Sequence, residues 1–274
     1  MKSFEELTDA LRPLCTKGAV LAFSGGADSS LLLCALCALR EERPFPLLAA
    51  TMHSVLHTQE ELDRVRDMTR EYGVELSLFT FDPLSDPALA DNPPDRCYLC
   101  KKRVFGKSLE LAAERHIPFV LEGTNASDLT VWRPGRKALA ELGVRSPLAE
   151  LGFTKQDVRR IAAERSIRTA SLPSSPCLAT RFEYGVRLTE EKLHAVSEGE
   201  ALLKRLTGGK GNVRLRVHGK VARIETDPAL FEALLSVRTE VTEALKARGF
   251  PYVTLDLEGF RSGSMDPPEM SSEK

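Results

Sequence analysis

The chain has 274 residues, of which 42% are hydrophobic, and this is enough apolar material for one large domain or, as we expect, two. Its formal net charge of −1 gives no basic field that would hold a long nucleic acid. No apolar run approaches the ~18 residues of a membrane span, and residues 1–14 lack the apolar block of a signal peptide, so we expect a cytoplasmic protein with no membrane partner.

A glycine turn follows the first predicted strand. An amphipathic helix over residues 4–14 leads into the apolar run 19–23, which is typical of a buried parallel strand. The turn Ser24-Gly25-Gly26-Ala27-Asp28-Ser29-Ser30 comes next, and a helix is predicted from residue 29. Glycines let the backbone approach a ligand, and the helix N-terminus with the serine hydroxyls supplies donors to an anion. The turn therefore predicts a phosphate site, although it lacks the lysine of a Walker A loop and the third glycine of a dinucleotide-binding loop.

Further strands and helices alternate in the first half of the chain. Strands are predicted over residues 47–53, 74–81 and 118–125, and helices over 59–72 and 101–116. In a doubly wound parallel sheet, polar groups at the carboxyl ends of strands face the nucleotide crevice. His53 and Thr124 are therefore candidate nucleotide neighbours. Arg133 and Arg136 lie in a later loop, and their guanidinium forks suit carboxylate or phosphate.

The six cysteines fall into two groups. In a cytosolic chain of this size they do not predict a disulfide framework. Cys15, Cys34 and Cys37 lie in or beside apolar helical stretches and are predicted to be small buried hydrophobes. Cys97 and Cys100 form a C-x-x-C at the start of a helix. A redox pair, half of a zinc site, a pair of cluster ligands and two unligated thiols all remain open for them.

The segment 172–185 fits neither a strand nor a helix pattern. It is rich in proline, serine and arginine around Cys177, and an irregular loop of this kind is typical of a functional site. Arg181 would lower the pKa of the Cys177 thiol and favour a thiolate.

The pattern changes beyond residue 186. A helix capped by Thr189, a β-hairpin over 213–225, a helical stretch over 228–248 and a last strand over 252–257 predict a small α+β domain with a mostly antiparallel sheet. We therefore expect one domain over 1–185, a second over 186–262, and a mobile tail over 263–274.

Several motifs occur together in one family. The turn at residues 24–30 resembles the PP-loop of the ATP pyrophosphatase superfamily, whose members split ATP between the α- and β-phosphates. The whole set resembles the LarE family along nearly the entire chain, and it consists of Ser24–Ser29, Cys97–Lys101, Glu122–Asn125, Arg133–Gly135, Pro176–Gly185 and Leu255–Met265.

The resemblance implies a fold and an activity. The fold would be a PP-loop (adenine nucleotide α hydrolase-like) doubly wound parallel sheet, followed by a smaller α+β domain. LarE-type proteins are ATP-dependent sulfur transferases that make the nickel-pincer nucleotide cofactor of lactate racemase. They convert the carboxylates of pyridinium-3,5-biscarboxylic acid mononucleotide to thiocarboxylates, with AMP and pyrophosphate released. The resemblance also implies Mg²⁺, a sulfide donor and a homo-oligomer.

Residue roles follow from the same resemblance. The backbone and side chains of Ser24, Gly25, Gly26, Asp28, Ser29 and Ser30 would handle ATP and pyrophosphate. Arg181, Arg214 and Arg216 would hold the phosphate and carboxylates of the substrate. Glu200 and Glu225 are candidates for a metal or phosphate-rich site in the second domain.

Two sulfur sources are consistent with the resemblance. In one, Cys97, Cys100 and Cys177 hold three irons of a [4Fe–4S] cluster whose fourth iron carries a labile sulfide. In the other, Cys177 gives up its own sulfur once. Three thiolates favour the cluster, and a zinc site of the same three cysteines is the competing interpretation. Other classes also remain open: a tRNA thiolase, an ammonia-dependent ligase such as NAD or GMP synthetase, and an ATP-sensing module.

Overall fold

The computed structural model describes residues 2–130, 134–173, 175–209 and 211–266. Its helices are α1 (Phe4–Leu11), α2 (Ala27–Glu42), α3 (Gln59–Glu71), α4 (Pro87–Ala90), α5 (Arg96–Glu114), α6 (Gly135–Leu142), α7 (Pro147–Glu150), α8 (Lys155–Glu164), α9 (Glu190–Leu206), α10 (Phe231–Ser236) and α11 (Arg238–Ala247). Its strands are β1 (Ala19–Ala22), β2 (Leu47–His53), β3 (Glu75–Thr80), β4 (Val120–Leu121), β5 (Val213–His218), β6 (Val221–Thr226) and β7 (Tyr252–Leu255). Short 3-10 turns cover Ala126–Thr130, Leu178–Arg181 and Pro228–Leu230.

The first four strands form a parallel sheet in the order β3-β2-β1-β4. The chain builds outward from β1 to β3 and then returns to place β4 on the other side of β1. The strand order therefore reverses between β1 and β4. In open α/β sheets, ligands bind at the carboxyl ends of the strands beside such a switch point.

Helices cover both faces of this sheet, because alternate side chains of each strand point to opposite sides. Leu21 and its alternates pack in a core with α1, α2 and α8, whereas Val20 packs in a separate core with α5 and α6. The predicted doubly wound α/β class is confirmed.

The last three strands form a second sheet in the order β5-β6-β7. β5 and β6 form the predicted antiparallel hairpin, but β7 pairs parallel to β6, so the sheet is mixed where we expected it to be mostly antiparallel. α9 crosses β5 closely: a Cβ added to Gly199 would lie 2.7 Å from Leu215 Cδ2. This approach permits α9, α11 and the sheet to share one core.

The segment around Cys177 joins the two sheets. Leu178 donates its N–H to the carbonyl of Leu56, beyond β2, at 2.9 Å, and Phe182 forms a bridge with Val217 of β5. The loop therefore lies beside the carboxyl end of β2 and also packs into the second core. The domain boundaries at 185 and 262 stay predictions.

Two other segments differ from expectation. The predicted loop over 82–95 contains α4, and α6 begins at Gly135, within the predicted arginine loop. Arg133 lies outside the described residues, and so does the part of the expected mobile tail beyond residue 266. Among the helices described, none has the length and apolar character needed to cross a bilayer.

Candidate active site

The PP-loop connects the end of β1 to the start of α2. Gly25 has a φ of +68°, which side chains rarely adopt, and its carbonyl accepts a hydrogen bond from Arg64 Nε at 3.1 Å. The Ser24 and Ser29 hydroxyls lie 3.1 Å apart. Gly26 occupies the N-cap position and has no side chain with which to cap α2. The first N–H groups of this helix are therefore left for an anionic ligand.

Asp28, in the first turn of α2, is held by two side chains from other elements. Asn125 Nδ2 donates to Asp28 Oδ1 at 2.9 Å, and Lys155 Nζ pairs with Oδ2. The turn after β4 packs directly on the PP-loop, because a Cβ added to Gly123 would lie 2.9 Å from the backbone nitrogen of Ser29. The two loops at the switch point thus form one surface.

Other predicted nucleotide neighbours have different surroundings. Thr124 donates its N–H and its hydroxyl to the buried Glu122 carboxylate, both at 2.9 Å, so its hydroxyl is engaged. The Ser30 hydroxyl contacts Met68 Sδ at 3.6 Å, within the core. His53 lies half-buried at the end of β2, one strand away from the PP-loop.

Arg136 lies in the first turn of α6, where Nη1 donates to the carbonyl of Leu129 at 3.0 Å. α6 packs tightly on α5: a Cβ added to Gly135 would lie 2.6 Å from Lys101 Cδ and 3.4 Å from the Cys97 carbonyl. The structure therefore puts Arg136 beside the helix that carries the C-x-x-C.

The structure brings Cys97, Cys100 and Cys177 together. The pKa of Cys100 is raised to about 12, mainly by burial, with the neighbouring Cys177 and Cys97 contributing to the rise. Burial also raises the pKa of Cys177, with Cys97 again contributing. These mutual effects require the three thiols to be neighbours, although two belong to α5 and one to a loop far along the chain.

The expected thiolate at Cys177 is not favoured in the metal-free protein. Arg96 and Arg181 both act to lower the pKa of Cys177, but burial outweighs them and the net direction is upward. The sequence pattern indicated the right neighbour, Arg181, and missed the burial. Negative charge on this sulfur would need a further positive group, such as a metal.

The described residues contain no group of three or more His, Cys, Asp or Glu side chains that converge on a single metal position. A tetrahedral zinc site needs such convergence, with sulfur about 2.3 Å from the ion. In an iron–sulfur cluster each cysteine binds a different iron, so the thiols need only surround the cluster. The zinc and the cluster interpretations of these cysteines both stay predictions.

Arg181 and Glu200 form a buried pair beside Cys177. Arg181 Nε and Nη2 lie 2.8 and 3.0 Å from the two Glu200 oxygens. Nη1 donates to the Pro176 carbonyl at 2.7 Å and to Thr180 Oγ1 at 2.9 Å. Glu200 also accepts the N–H of Leu215 at 2.9 Å. Both groups are therefore committed to holding the Cys177 loop against the second sheet.

The pyridinium-3,5-bisthiocarboxylic acid mononucleotide synthase of Lactiplantibacillus plantarum is 38% identical over 247 residues, which is 90% of this chain and 88% of that protein. The chain belongs to the LarE family. It is an ATP-dependent sulfurtransferase of the PP-loop class, as the resemblance implied.

Two uncharacterized proteins are also similar to this chain. One from Synechocystis is 35% identical over 250 residues, covering 90% of this chain and 91% of the relative. One from Methanocaldococcus jannaschii is 30% identical over 246 residues, covering 90% and 92%. No protein-family model matches the chain. The NMN synthetase of Francisella tularensis is a similar solved structure, with a TM-score of 0.49, 15% identity, and coverage of 63% of this chain and 74% of that one.

A second arginine cluster lies on β5 and β6 of this LarE-family chain. Arg216 Nε donates to Glu225 Oε2 at 2.9 Å, and its Nη1 donates to the Thr180 carbonyl at 3.0 Å. Arg214 lies over the Phe260 ring, 5.4 Å from the centroid, and burial lowers its pKa to about 10. Arg216 therefore connects the second sheet to the turn that follows Cys177.

Glu225, which is fully buried, is flanked by two arginines. Its Oε1 lies 3.1 Å from Arg223 Nη2 but without hydrogen-bond geometry, and Arg223 also pairs with Asp256. Like Glu200, this carboxylate faces cations of the protein itself. The predicted metal role of the two glutamates stays a prediction.

A cavity of about 140 Å³ opens beside the Cys177 loop. Arg96, Thr180 and Arg216 contribute to one side of it, and Phe260 and residues 262–266 contribute to the other. The tail is attached here by Tyr184, whose hydroxyl donates to Asp266 Oδ1 at 2.9 Å. Two guanidinium groups in its wall make the cavity suited to an anionic ligand.

Three residues that line or support these sites were not predicted from the sequence. The sequence feature that could have drawn attention to Lys155 is its position directly after Thr154, the predicted helix cap. Arg96 directly precedes the C-x-x-C, and this adjacency would have indicated it. Asn92 lies in a proline-rich stretch with no pattern that points to a buried role.

Proposed function

We propose that this protein converts the ring carboxylates of pyridinium-3,5-biscarboxylic acid mononucleotide to thiocarboxylates by adenylation followed by sulfur transfer. The 38% identity with a pyridinium-3,5-bisthiocarboxylic acid mononucleotide synthase supports the substrate class. The observation that carries the proposal is that the PP-loop follows β1 and that the loop after Cys177 bonds to Leu56, just beyond β2, so both loops lie at the carboxyl ends of neighbouring strands.

Adenylation is needed because the oxygen of a carboxylate is a poor leaving group. A substrate carboxylate oxygen attacks the α-phosphorus of ATP, the bond to the bridging oxygen breaks, and pyrophosphate leaves. The N–H groups at the start of α2 and the Ser24 and Ser29 hydroxyls are positioned to stabilise the charge that develops on the departing phosphates. Asp28 would hold Mg²⁺, which neutralises phosphate charge when bound.

Lys155 places a positive charge beside Asp28 and the proposed phosphate site. In the ligand-free protein it pairs with Asp28 and limits the electrostatic penalty of the carboxylate beside the phosphate site. If Asp28 held Mg²⁺, the Lys155 ammonium would be available to the phosphates. The PP-loop then presents N–H groups and an ammonium to the leaving group.

The chemistry of the thiols fits a cluster. Cys97, Cys100 and Cys177 would hold three irons of a [4Fe–4S] cluster, which would supply sulfide to the acyl-adenylate when bound. Three soft thiolate ligands, partly shielded from solvent and close to Arg96 and Arg181, are the donor set that such a cluster requires. Arg216, in the cavity wall, is placed to bind the anionic groups of the substrate.

The test is anaerobic reconstitution with iron and sulfide, followed by reaction with ATP and the pyridinium nucleotide. We expect a brown protein, pyrophosphate release stimulated by the nucleotide and not by tRNA, and several thiocarboxylates per protein when sulfide is supplied. Cys97→Ala, Cys100→Ala and Cys177→Ala should each remove the colour, whereas Cys15→Ala, at a buried thiol away from the site, should keep it. A colourless protein that reacts once and loses the mass of H₂S from Cys177 would favour the sacrificial route.

A further inference from the structure

Arg96 is a buried guanidinium that lies between the two cysteine-bearing segments. It is the first residue of α5 and only 3% of it is exposed. Its Nη2 donates to Cys97 Sγ at 3.8 Å, and its Nη1 lies 3.5 Å from the carbonyl of Ala179, in the turn directly after Cys177. One planar side chain thus contacts both segments.

Asn92 holds Arg96 in this position. Asn92 is fully buried, and its side-chain oxygen accepts a hydrogen bond from Arg96 Nη1. Its amide nitrogen donates to the carbonyls of Glu183 at 2.8 Å and Phe182 at 3.4 Å, and its own carbonyl accepts the N–H of Gly185 at 3.0 Å. Asn92 therefore connects the chain before α5 to three positions of the loop that begins at Cys177.

The backbone of Asn92 is in the left-handed region, with a φ of +52°. Non-glycine residues adopt this conformation uncommonly, and they do so where the surroundings determine it. Glycine would relieve the conformation, but it would remove every side-chain bond just described. The asparagine amide explains this residue at a strained position, because its nitrogen donates to the loop while its oxygen accepts from Arg96.

The surroundings of Arg96 are unusual for a buried charge. Burying an unpaired guanidinium is costly, and buried arginines are ordinarily matched by a carboxylate. Within the described residues, Arg96 contacts an amide oxygen, a carbonyl, a thiol and the Tyr184 ring at 5.7 Å, and its Nε is buried without a hydrogen-bond partner. A residue needed only for packing would not keep this charge.

We propose that Asn92 and Arg96 form a clamp that sets the separation between Cys177 and the C-x-x-C pair. The inference rests on the proposed role of the three cysteines and makes Arg96 a positioning residue for the sulfur chemistry. The clamp is required because Cys97 and Cys100 are fixed by α5, whereas Cys177 lies in an irregular loop. A site built from both segments works only when the distances between their thiols are maintained.

The test measures the spacing of the thiols in reduced, metal-free protein, with dibromobimane as a short bridging reagent and peptide mass spectrometry as the readout. In the wild type we expect bridges from Cys177 to Cys97 or Cys100. In Asn92→Gly and Arg96→Gln these bridges should fall by about tenfold, as effective concentrations do when geometry is lost. The Cys97–Cys100 bridge lies within one helix and should persist in every variant as an internal reference.

Two further variants make the result specific. Ser166→Gly removes another non-glycine side chain with a positive φ, +55°, after α8, and should leave all bridges unchanged. Arg96→Lys keeps the charge but loses the fork, so it should lose Cys177 bridges nearly as completely as Arg96→Gln. It also provides the test if Asn92→Gly does not fold, which circular dichroism would reveal.

The outcomes separate the clamp from the cluster. Equal Cys177 bridging in the wild type and in folded clamp variants would overturn the clamp, whatever iron the proteins bind. A wild type with no bridge to Cys177 would overturn it as well. The cluster would be overturned if the wild type bound no iron on reconstitution. The clamp would still be supported if the clamp variants lost the Cys177 bridges that the wild type forms.

Discussion

Asp28 lies in the first turn of α2, where a carboxylate stabilises the helix but opposes an incoming phosphate. The two groups that bind it, Asn125 and Lys155, come from segments on the other side of the switch point. The carboxylate is therefore held in one position beside the PP-loop. This arrangement makes Asp28 the most informative residue to change.

Asp28→Asn should reduce pyrophosphate release at least ~100-fold, as removal of a charged group from a phosphoryl-transfer site does, while the fold is kept. Ser29→Ala should have a smaller effect in the same direction, since one hydroxyl donor is lost. The measurement is pyrophosphate release with the pyridinium nucleotide. Ser108→Ala, at a buried helical serine bonded to the Val104 carbonyl, is the control. Full adenylation by Asp28→Asn would show that the PP-loop assignment is wrong.

Arg181 tests the second half of the site. Removing it alone leaves the buried Glu200 unpaired, which commonly costs about 3–5 kcal/mol of stability, so the double variant Arg181→Met/Glu200→Gln is the better probe. Its Cys177 loop should be misplaced, and calorimetry should show the pyridinium nucleotide binding about tenfold more weakly. ATP binding should change little, because the cavity wall described beside this loop includes no PP-loop residue. Equal weakening of both ligands would exclude this role.

At the scale of residues, the sequence identified those functional candidates that belong to a recognisable local motif. The PP-loop glycines and serines, the C-x-x-C and Cys177 are of this kind, and the structure gathers the three thiols. Asn92, Arg96 and Lys155 were missed because their roles depend on contacts between segments far apart in sequence. The thiolate expected at Cys177 was wrong for the same reason: Arg181 is visible in the sequence, whereas burial is a property of the fold.

At the scale of elements, periodicity and caps predicted the longer helices and the hairpin, and the bounds of β2 coincide with its apolar run. α4 and α6 were missed because Pro87 and Pro134 resemble loop signals, although proline is well tolerated at a helix start. The direction of β7 depends on the path of α10 and α11, which no local pattern in the strand records.

The contact between α9 and β5 provides a matched test at this scale. Gly199→Ala should lower the free energy of unfolding by about 1–2 kcal/mol, since its Cβ would lie 2.7 Å from Leu215 Cδ2 and 3.1 Å from Leu245 Cδ2. Gly106→Ala, within α5 and with no atom within 4 Å of the added Cβ, should raise it by up to ~1 kcal/mol. Urea unfolding of both variants measures the difference. A stabilised Gly199→Ala would mean that α9 and β5 are less closely packed.

At the scale of the whole molecule, three hydrophobic cores meet around the site. Two sandwich the parallel sheet and fix the PP-loop, and the third includes the Cys177 loop and the second sheet. If the proposed function is correct, the chemistry takes place where these cores adjoin, and such junctions are a common location for ligand sites. This meeting was foreseen only as a possibility, because the path of the loop depends on backbone bonds such as that from Leu178 to Leu56.

The core beneath the PP-loop should also determine the alkaline limit of stability. Burial raises the pKa of Cys15 from its ordinary 9.0 to about 12, and that of Cys37 to about 11. A folded pKa above the unfolded one contributes stability that is present below pH 9 and is lost as the pH rises toward the folded value, because the unfolded thiol then releases a proton that the folded thiol keeps. At pH 10 each thiol should lower the free energy of unfolding by about 1.4 kcal/mol relative to pH 7.5.

Urea unfolding under reducing conditions at the two pH values would measure this loss. The double variant Cys15→Ala/Cys37→Ala should lose about 2–3 kcal/mol less than the wild type across the interval, because both raised thiol pKa values are removed. An identical loss in the two proteins would mean that these thiols are ionised, or open to solvent, in the folded chain.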